Sequence, residues 1–455
     1  MSSRIFTKET VLFIKYSYKV GKYLKGESQT VKTYNINEKE IYIGDLSVRS
    51  LAEQYGTPTY VYNEKRIRNN FRRAYSAFTS YYPDFKFFYA VKACNNPSIV
   101  NILRQEGAGI DAASVNEILL AKKVGLGGEN VMFSGNFLSD EDIRQGLDSG
   151  VIFNLDDISL LPRVLKQSVP EILSFRINPG YGRSNVGEYV TNAGPGAKFG
   201  LHPDMVTEAY RQAKNAGVKR FGVHMMPGSC ITDPDYFSFV TNLLMEIVGK
   251  TARELKIDFE FIDIGGGLGI PYKDDEQGLD IGKTAEMVAG TFTKAIDQYG
   301  MESPRLMMEP ARYFVGDAGV VIGKVHSIKE SYSKILGTDI GMNILARPAF
   351  YGSYHNILFN GREGDATENC GLCGQLCENT DFWVKERAFP KTVQEGDIVV
   401  ATDAGAYGFG MSYQYNGRLR PAEVLVNGNQ SYLIRKRESF DDMVNATSVP
   451  EYLSN

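Results

Sequence analysis

The chain has few histidines and cysteines, four of one and five of the other in 455 residues. Three of the cysteines, Cys370, Cys373 and Cys377, fall together in "CGLCGQLCEN", but no histidine stands near them to complete the four ligands of a structural zinc site. The stretch is read as free thiols, with no metal expected. An odd cysteine count in a long chain fits a reducing compartment. Long apolar runs are missing as well. Near the start only Val11 to Ile14 are consecutively apolar, against the roughly 7–15 residues of a secretory core. No stretch approaches the roughly 18 residues of a membrane span. A cytoplasmic protein without a membrane partner is expected. Positive charge is not in excess either: 50 basic residues face 54 acidic ones, for a formal net charge of -4. That balance gives no electrostatic footprint for nucleic acid.

What is present is a large globular core. A composition 43% hydrophobic and 12% aromatic can bury much surface, and 455 residues exceed one ordinary core, so two domains are expected. Residues 1–30 are basic and tyrosine-rich and read as an N-terminal extension. Between residues 86 and 310 a short apolar run, a polar or glycine turn and a helical segment recur. The runs are "KFFYAVKA", "AGIDAAS", "NVMFSGN", "GVIFNLD", "ILSFRINPG", "RFGVHMMPGS", "FEFIDIGGG" and "PRLMMEPAR". Intervening segments such as "PSIVNILRQEG" and "VNEILLAKKVG" carry helical apolar spacing and end in glycine. Alternating units imply parallel strands with right-handed crossovers, and eight of them predict a (β/α)8 barrel. A doubly wound open sheet would also accept the alternation but would gather ligands at one switch point. After residue 316 short β-branched runs separated by Gly, Asn and Asp turns predict an antiparallel β domain. The expected division is 31–58 contributing to the β domain, 59–315 the barrel and 316–455 the C-terminal β domain.

Chemistry on a barrel gathers at the C-terminal strand ends. Those ends hold Lys92, Asp111, Asn136, Arg176, His224 with Ser229, Gly265 to Gly267, and Glu309 with Arg312. A lysine at a strand end is most often a snorkelling surface residue, and three glycines are most often a turn. Together they make a different case. A lysine to form an imine, glycines whose backbone approaches a phosphate, and an acid to keep a pyridine nitrogen protonated are the needs of pyridoxal phosphate.

The motifs "YAVKACNNP", "GIDAASVNE", "RINPG", "VHMMPGS", "DIGGGLGIPY", "EPAR", "RPAFYGSYHNI", "LCEN" and "GAYGFGMSYQYNGRLRPAEVLV" resemble, in order, those of the fold-type III pyridoxal phosphate decarboxylases. The resemblance covers about residues 40 to 440. In "RPAFYGSYH" and "YNGRLRPAEVLV" it is to the branch that converts meso-2,6-diaminopimelate to L-lysine and carbon dioxide, the last step of lysine biosynthesis. It implies that Lys92 is the imine-forming lysine and Glu309 the partner of the pyridine nitrogen. It puts Asp111 among the cofactor contacts, and Ser229, Gly265, Gly266, Gly267 and Arg312 at the phosphate, with Arg312 alternatively meeting substrate. Arg176 corresponds to an arginine behind the cofactor. Cys377 corresponds to the catalytic thiol, Glu378 to a substrate-amine contact, and Arg347, Tyr351 and Tyr407 to the remaining substrate and cofactor positions. In that family the Cys377 segment enters the neighbouring subunit's site, which implies a homodimer with composite sites. One position departs: Met226 stands where the family has a histidine against the cofactor face. A thioether can keep that contact but cannot give a proton.

Arginine suits a distal carboxylate and glutamate an ammonium, so Arg347 with Glu378 favours a substrate carrying a second amino-acid head. The alternative is a related amino acid or a carboxylated polyamine as substrate. A non-catalytic homologue would have lost Lys92 or Cys377, and a racemase would need a second acid/base opposite the lysine.

Overall fold

The computed structural model describes residues 32–186 and 191–453. All eight runs form strands: Phe85–Ala90, Gly109–Ala112, Val131–Phe133, Ile152–Leu155, Ile172–Ile177, Arg220–Met225, Phe259–Asp263 and Arg305–Met308. They pair in parallel and close, the eighth strand joining the first with Leu306 opposite Phe85. The expected barrel is what the chain builds. Its interior is packed by Phe88, Met132, Ile152, Ile172, Phe261 and Met307. Gly222 faces that interior because Phe261 fills the space: a Cβ there would lie 2.0 Å from the ring.

The helices between strands start where capping chemistry allows. Pro97–Gln105 opens with proline in its first turn, and Asn96 accepts from the Ser98 N–H. Val115–Lys123 is capped by Ser114, and Asp140–Asp148 opens with a reciprocal Ser139–Asp142 capping box. These helices cover the outer faces of the strands, so the polar strand ends are left to gather at one end of the barrel.

The second domain is a nine-stranded sheet. Its spine is the long strand Gly319–Glu330, which pairs antiparallel with Thr59–Asn63, Ile398–Ala401 and Lys334–Thr338. Most pairings are antiparallel, as expected. Two are parallel: Ala422–Asn427 on Thr59–Asn63, and Lys334–Thr338 on Thr367–Cys373. The boundary drawn at residue 59 needs correcting, because Thr59–Asn63 lies inside this sheet and not in the barrel. "TYVYN" is as apolar as a barrel strand, and all but its last residue are buried. Only its partners on both sides reveal its domain. The strands Tyr34–Asn37, Glu40–Ile43 and Leu46–Ser47 make a separate small antiparallel sheet. Ile41 and Ile43 there share a core with Val61, Val320 and Val400. The extension read over residues 1–30 lies outside the described residues.

A loop of the β domain reaches the barrel mouth. The Tyr407 N–H donates to the Ala93 carbonyl at 2.7 Å, which ties it to the turn that carries Lys92.

Candidate active site

Lys92 lies in the turn Val91–Ala93 directly after the first barrel strand. Its Nζ is 4.0 Å from Oδ2 of Asp111 on the second strand. Burial alone would lower the lysine's pKa, but its electrostatic interactions with Asp111, Tyr407 and Glu309 outweigh it and the net shift is upward. Asp111 is itself pushed well above the usual carboxylate range by burial and by the charge on Glu309.

Glu309 follows the eighth strand and His224 sits on the sixth, both buried. Their Oε2 and Nε2 are 2.9 Å apart, and the proton is on the histidine because a carboxylate can only accept. Burial would raise Glu309, yet His224, Lys92 and Arg176 together hold it below the usual range. Asp263 on the seventh strand is driven the other way, far upward, by burial and by the charge on Glu309. The three buried acids at the ends of the second, seventh and eighth strands therefore differ in charge: Glu309 keeps it, while Asp111 and Asp263 are pushed toward the neutral form.

His224, Asp263 and Glu309 bring ligating atoms within 4.8 Å of one another, a set that a cation could use. Two of the three are already engaged with each other, and Asp263 Oδ1 accepts the Gly265 N–H at 2.7 Å. Three buried atoms of the set still lack a hydrogen-bond partner among the described residues: His224 Nδ1, Asp263 Oδ2 and Glu309 Oε1. Of the three residues only Glu309 lines the cleft beside Lys92, so Glu309 Oε1 is the orphan a bound group can reach. A protonated ring nitrogen satisfies such an orphan.

The turn after the seventh strand holds Gly265, Gly266 and Gly267. Positive φ values of 76° at Gly265 and 96° at Gly267 favour glycine. Space requires it at all three, since an added Cβ would lie 2.1 Å from the Met225 carbonyl oxygen, 2.5 Å from that of Glu309 and 2.8 Å from that of Gly228. The backbone is thus bare where it passes the cleft, a cradle suited to a phosphate. The Gly266 N–H donates to Sδ of Met226 at 3.0 Å.

One cleft is lined by Lys92, Met226, Ser229, Glu309, Arg312 and Tyr407, together with Gly267. Arg312 lies over the Tyr407 ring, 4.8 Å from its centre, and donates to the Tyr272 hydroxyl. Beyond Tyr272 is Arg347, 2% exposed, with its guanidinium 4.9 Å from that ring. Arg176, at the end of the fifth strand, is 4.0 Å from Asp156 and lies over Phe199 at 4.3 Å. Burial lowers its pKa. Tyr351 ends the short helix Arg347–Tyr351 and is partly exposed. Cys377 and Glu378 sit in the loop after Thr367–Cys373 and are not among the lining of this chain's own cleft. Cys377 is exposed, and its N–H donates to Asn416 Oδ1 at 2.7 Å.

Reading the sequence assigned no role to Asp263, Tyr272 or His355, and gave His224 only a place on the rim. Each stands inside a motif already singled out, "FEFIDIGGG", "DIGGGLGIPY", "RPAFYGSYHNI" and "RFGVHMMPGS". A polar or aromatic residue within such a motif is the signal that could have found them.

A closed parallel barrel with a lysine after its first strand, a bare glycine cradle after its seventh and an ionised acid after its eighth defines an enzyme that holds a phosphorylated, electron-accepting cofactor. The family model described as "Pyridoxal-dependent decarboxylase, pyridoxal binding domain" matches residues 67–316. The diaminopimelate decarboxylase of Methanothermobacter thermautotrophicus is 42% identical over 92% of this chain and 98% of its own. That of Thermoplasma acidophilum is 38% identical over 88% of this chain and 96% of its own. The crystal structure of diaminopimelate decarboxylase from M. jannaschii in complex with L-lysine superposes with a TM-score of 0.85 at 33% identity, covering 92% of this chain and 98% of that one. The chain belongs to the pyridoxal-dependent decarboxylases, in the diaminopimelate decarboxylase family. Its cofactor is pyridoxal 5′-phosphate, which the orphaned Glu309 oxygen and the glycine cradle fit.

Proposed function

We propose that this chain removes one carboxylate from meso-2,6-diaminopimelate to give L-lysine and carbon dioxide, the last step of lysine biosynthesis. The observation that carries the substrate choice is Arg347. It is buried one tyrosine ring away from the cofactor cleft, with no carboxylate of the described residues paired to it. A buried guanidinium without a counter-charge is costly, and a substrate with a distal carboxylate supplies one.

Bound pyridoxal phosphate supplies the electron sink that accepts the pair left when carbon dioxide departs. The chain does the rest. Lys92 would hold the cofactor covalently and would be freed as an amine when the substrate's amine takes its place, with Asp111 facing it. Glu309, kept ionised by His224, holds a proton on the ring nitrogen and so keeps the sink deep. Ser229 and the bare turn Gly265, Gly266 and Gly267 would form the phosphate cradle, and Arg312 would meet the phosphate or the substrate. Met226, in the lining of the cleft, would contact the cofactor, and Arg176 would brace the region behind it. Tyr351 and Tyr407 complete the substrate and cofactor contacts, and Glu378 takes the distal ammonium. Cys377 returns a proton to the product carbon.

Because Cys377 is exposed and away from its own chain's cleft, it acts in the site of a second copy, and the working unit is a homodimer. The five free thiols support a cytoplasmic location.

Selectivity is the test. The loaded enzyme is offered meso-diaminopimelate, L-ornithine, L-arginine and a carboxylated polyamine in competition. Preference for diaminopimelate supports the reading. Preference for a substrate without a distal carboxylate would refute it, and Met226 would be the first position to exchange.

A further inference from the structure

Arg347 is the largest fully buried side chain in the described structure. A guanidinium has five N–H donors and no acceptor, so what surrounds it decides which way it points. Two neighbours take hydrogen bonds from it. Nη1 donates to Nε2 of His355 at 3.0 Å, and Nη2 to Oγ of Ser353 at 3.3 Å.

His355 can accept at Nε2 only if its proton is on the other nitrogen. That nitrogen, Nδ1, is 2.8 Å from the Thr402 carbonyl, which can only accept. The two contacts fix one neutral tautomer between them. Tyr272 closes the arrangement, standing edge-on to His355 at 5.6 Å and taking a hydrogen bond from Arg312. His355 is itself anchored from the β domain, since Arg387 Nη1 donates to its carbonyl at 2.9 Å.

We propose that His355 is a positioning residue for substrate specificity: through a bare Nε2 it turns Arg347 toward the cleft while leaving its charge uncompensated for the distal carboxylate of the substrate. This rests on the function proposed above. The neutral partner is the essential choice. A carboxylate in the same place would orient the arginine equally well, but it would satisfy the charge internally and remove the reason to select a dicarboxylic substrate. Burial and the positive charges of Arg347, Arg312 and Arg387 oppose protonation of the imidazole. Arg347 therefore does not lose its acceptor across the working pH range.

The experiment uses the full chain loaded with pyridoxal phosphate. Nitrogen-15 spectra of the imidazoles are recorded, with the His355 signals identified as those absent in His355→Gln; only four histidines need to be sorted. The proposal requires a protonated Nδ1 and a bare Nε2, and a protonated Nε2 or an imidazolium at neutral pH overturns it. Steady-state kinetics with meso-diaminopimelate are then compared for wild type, His355→Leu and His355→Gln. Removing the acceptor is expected to raise KM about tenfold or more with kcat changed less than about threefold, and the glutamine, which keeps an acceptor oxygen, to recover most of the loss. A fall in kcat at unchanged KM, or glutamine no better than leucine, contradicts the positioning role. If wild type leaves diaminopimelate untouched, the proposed function fails, while the imidazole spectra still decide the state of His355.

Discussion

Glu309 shows how a single residue is set by its neighbours. Burial works against its charge, and His224, Lys92 and Arg176 restore it. Exchange to glutamine keeps the size and the contact with His224 but removes the charge that holds a proton on the cofactor ring. Glu309→Gln is expected to retain the cofactor's visible absorption while kcat falls about 100- to 1000-fold, read by carbon dioxide release. His355 gives a second prediction at this scale, on stability. Burial and Arg347 push its pKa from 6.5 down to about 3. The unfolded chain thus binds a proton between these values that the folded chain refuses, and stability falls as pH drops from 6.5 toward 3. At about 1.4 kcal/mol per unit the full loss over this window is on the order of 5 kcal/mol. Other carboxylates titrate in the same window, so the prediction concerns a difference: His355→Gln should lose less stability on acidification in urea unfolding than wild type. An identical slope would contradict it. Lys92, Glu309 and the three glycines were legible in the sequence because each ends a strand in a quoted motif. His355 against Arg347, or Asp263 beside Glu309, were not, since those contacts join residues whose side-chain directions only the folded backbone decides.

Among elements, the turn after the seventh strand carries the tightest constraint. A Cβ on Gly266 would sit 2.5 Å from the Glu309 backbone oxygen, so Gly266→Ala must move either the cradle or the acid. The expected result is a fall of about tenfold or more in cofactor affinity, measured by equilibrium dialysis, with a lower thermal midpoint that excess cofactor partly restores. Wild-type affinity in the alanine variant would show that the cradle does not hold the phosphate. The barrel strands could be read in advance because strand, turn and helix alternate eight times with little interruption. The domain edge could not: "TYVYN" has the composition of a barrel strand, and its place in the other sheet depends on pairing with Gly319–Glu330 and Ala422–Asn427, residues far along the chain. The two parallel pairings in that sheet were hidden for the same reason.

For the whole molecule the question is whether one chain suffices. Cys377 and Glu378 are not in the lining of the cleft that holds Lys92, and under the proposed function they act in the site of a second copy. Lys92→Ala and Cys377→Ala should each be inactive alone. Mixed after dissociation and reassociation, they should recover about a quarter of wild-type activity, because half of the dimers are mixed and each of those has one intact site. No recovery would place the thiol in its own chain's site or outside the chemistry. The central claim, that a cofactor on Lys92 decarboxylates diaminopimelate, is tested most directly by one assay. The purified protein is loaded with pyridoxal phosphate and given meso-2,6-diaminopimelate, with L-lysine and carbon dioxide measured in the same vessel beside Lys92→Ala. The account predicts equal amounts of both products from wild type and neither from the variant. Product from Lys92→Ala at the wild-type rate, or none from the loaded wild type, would contradict it.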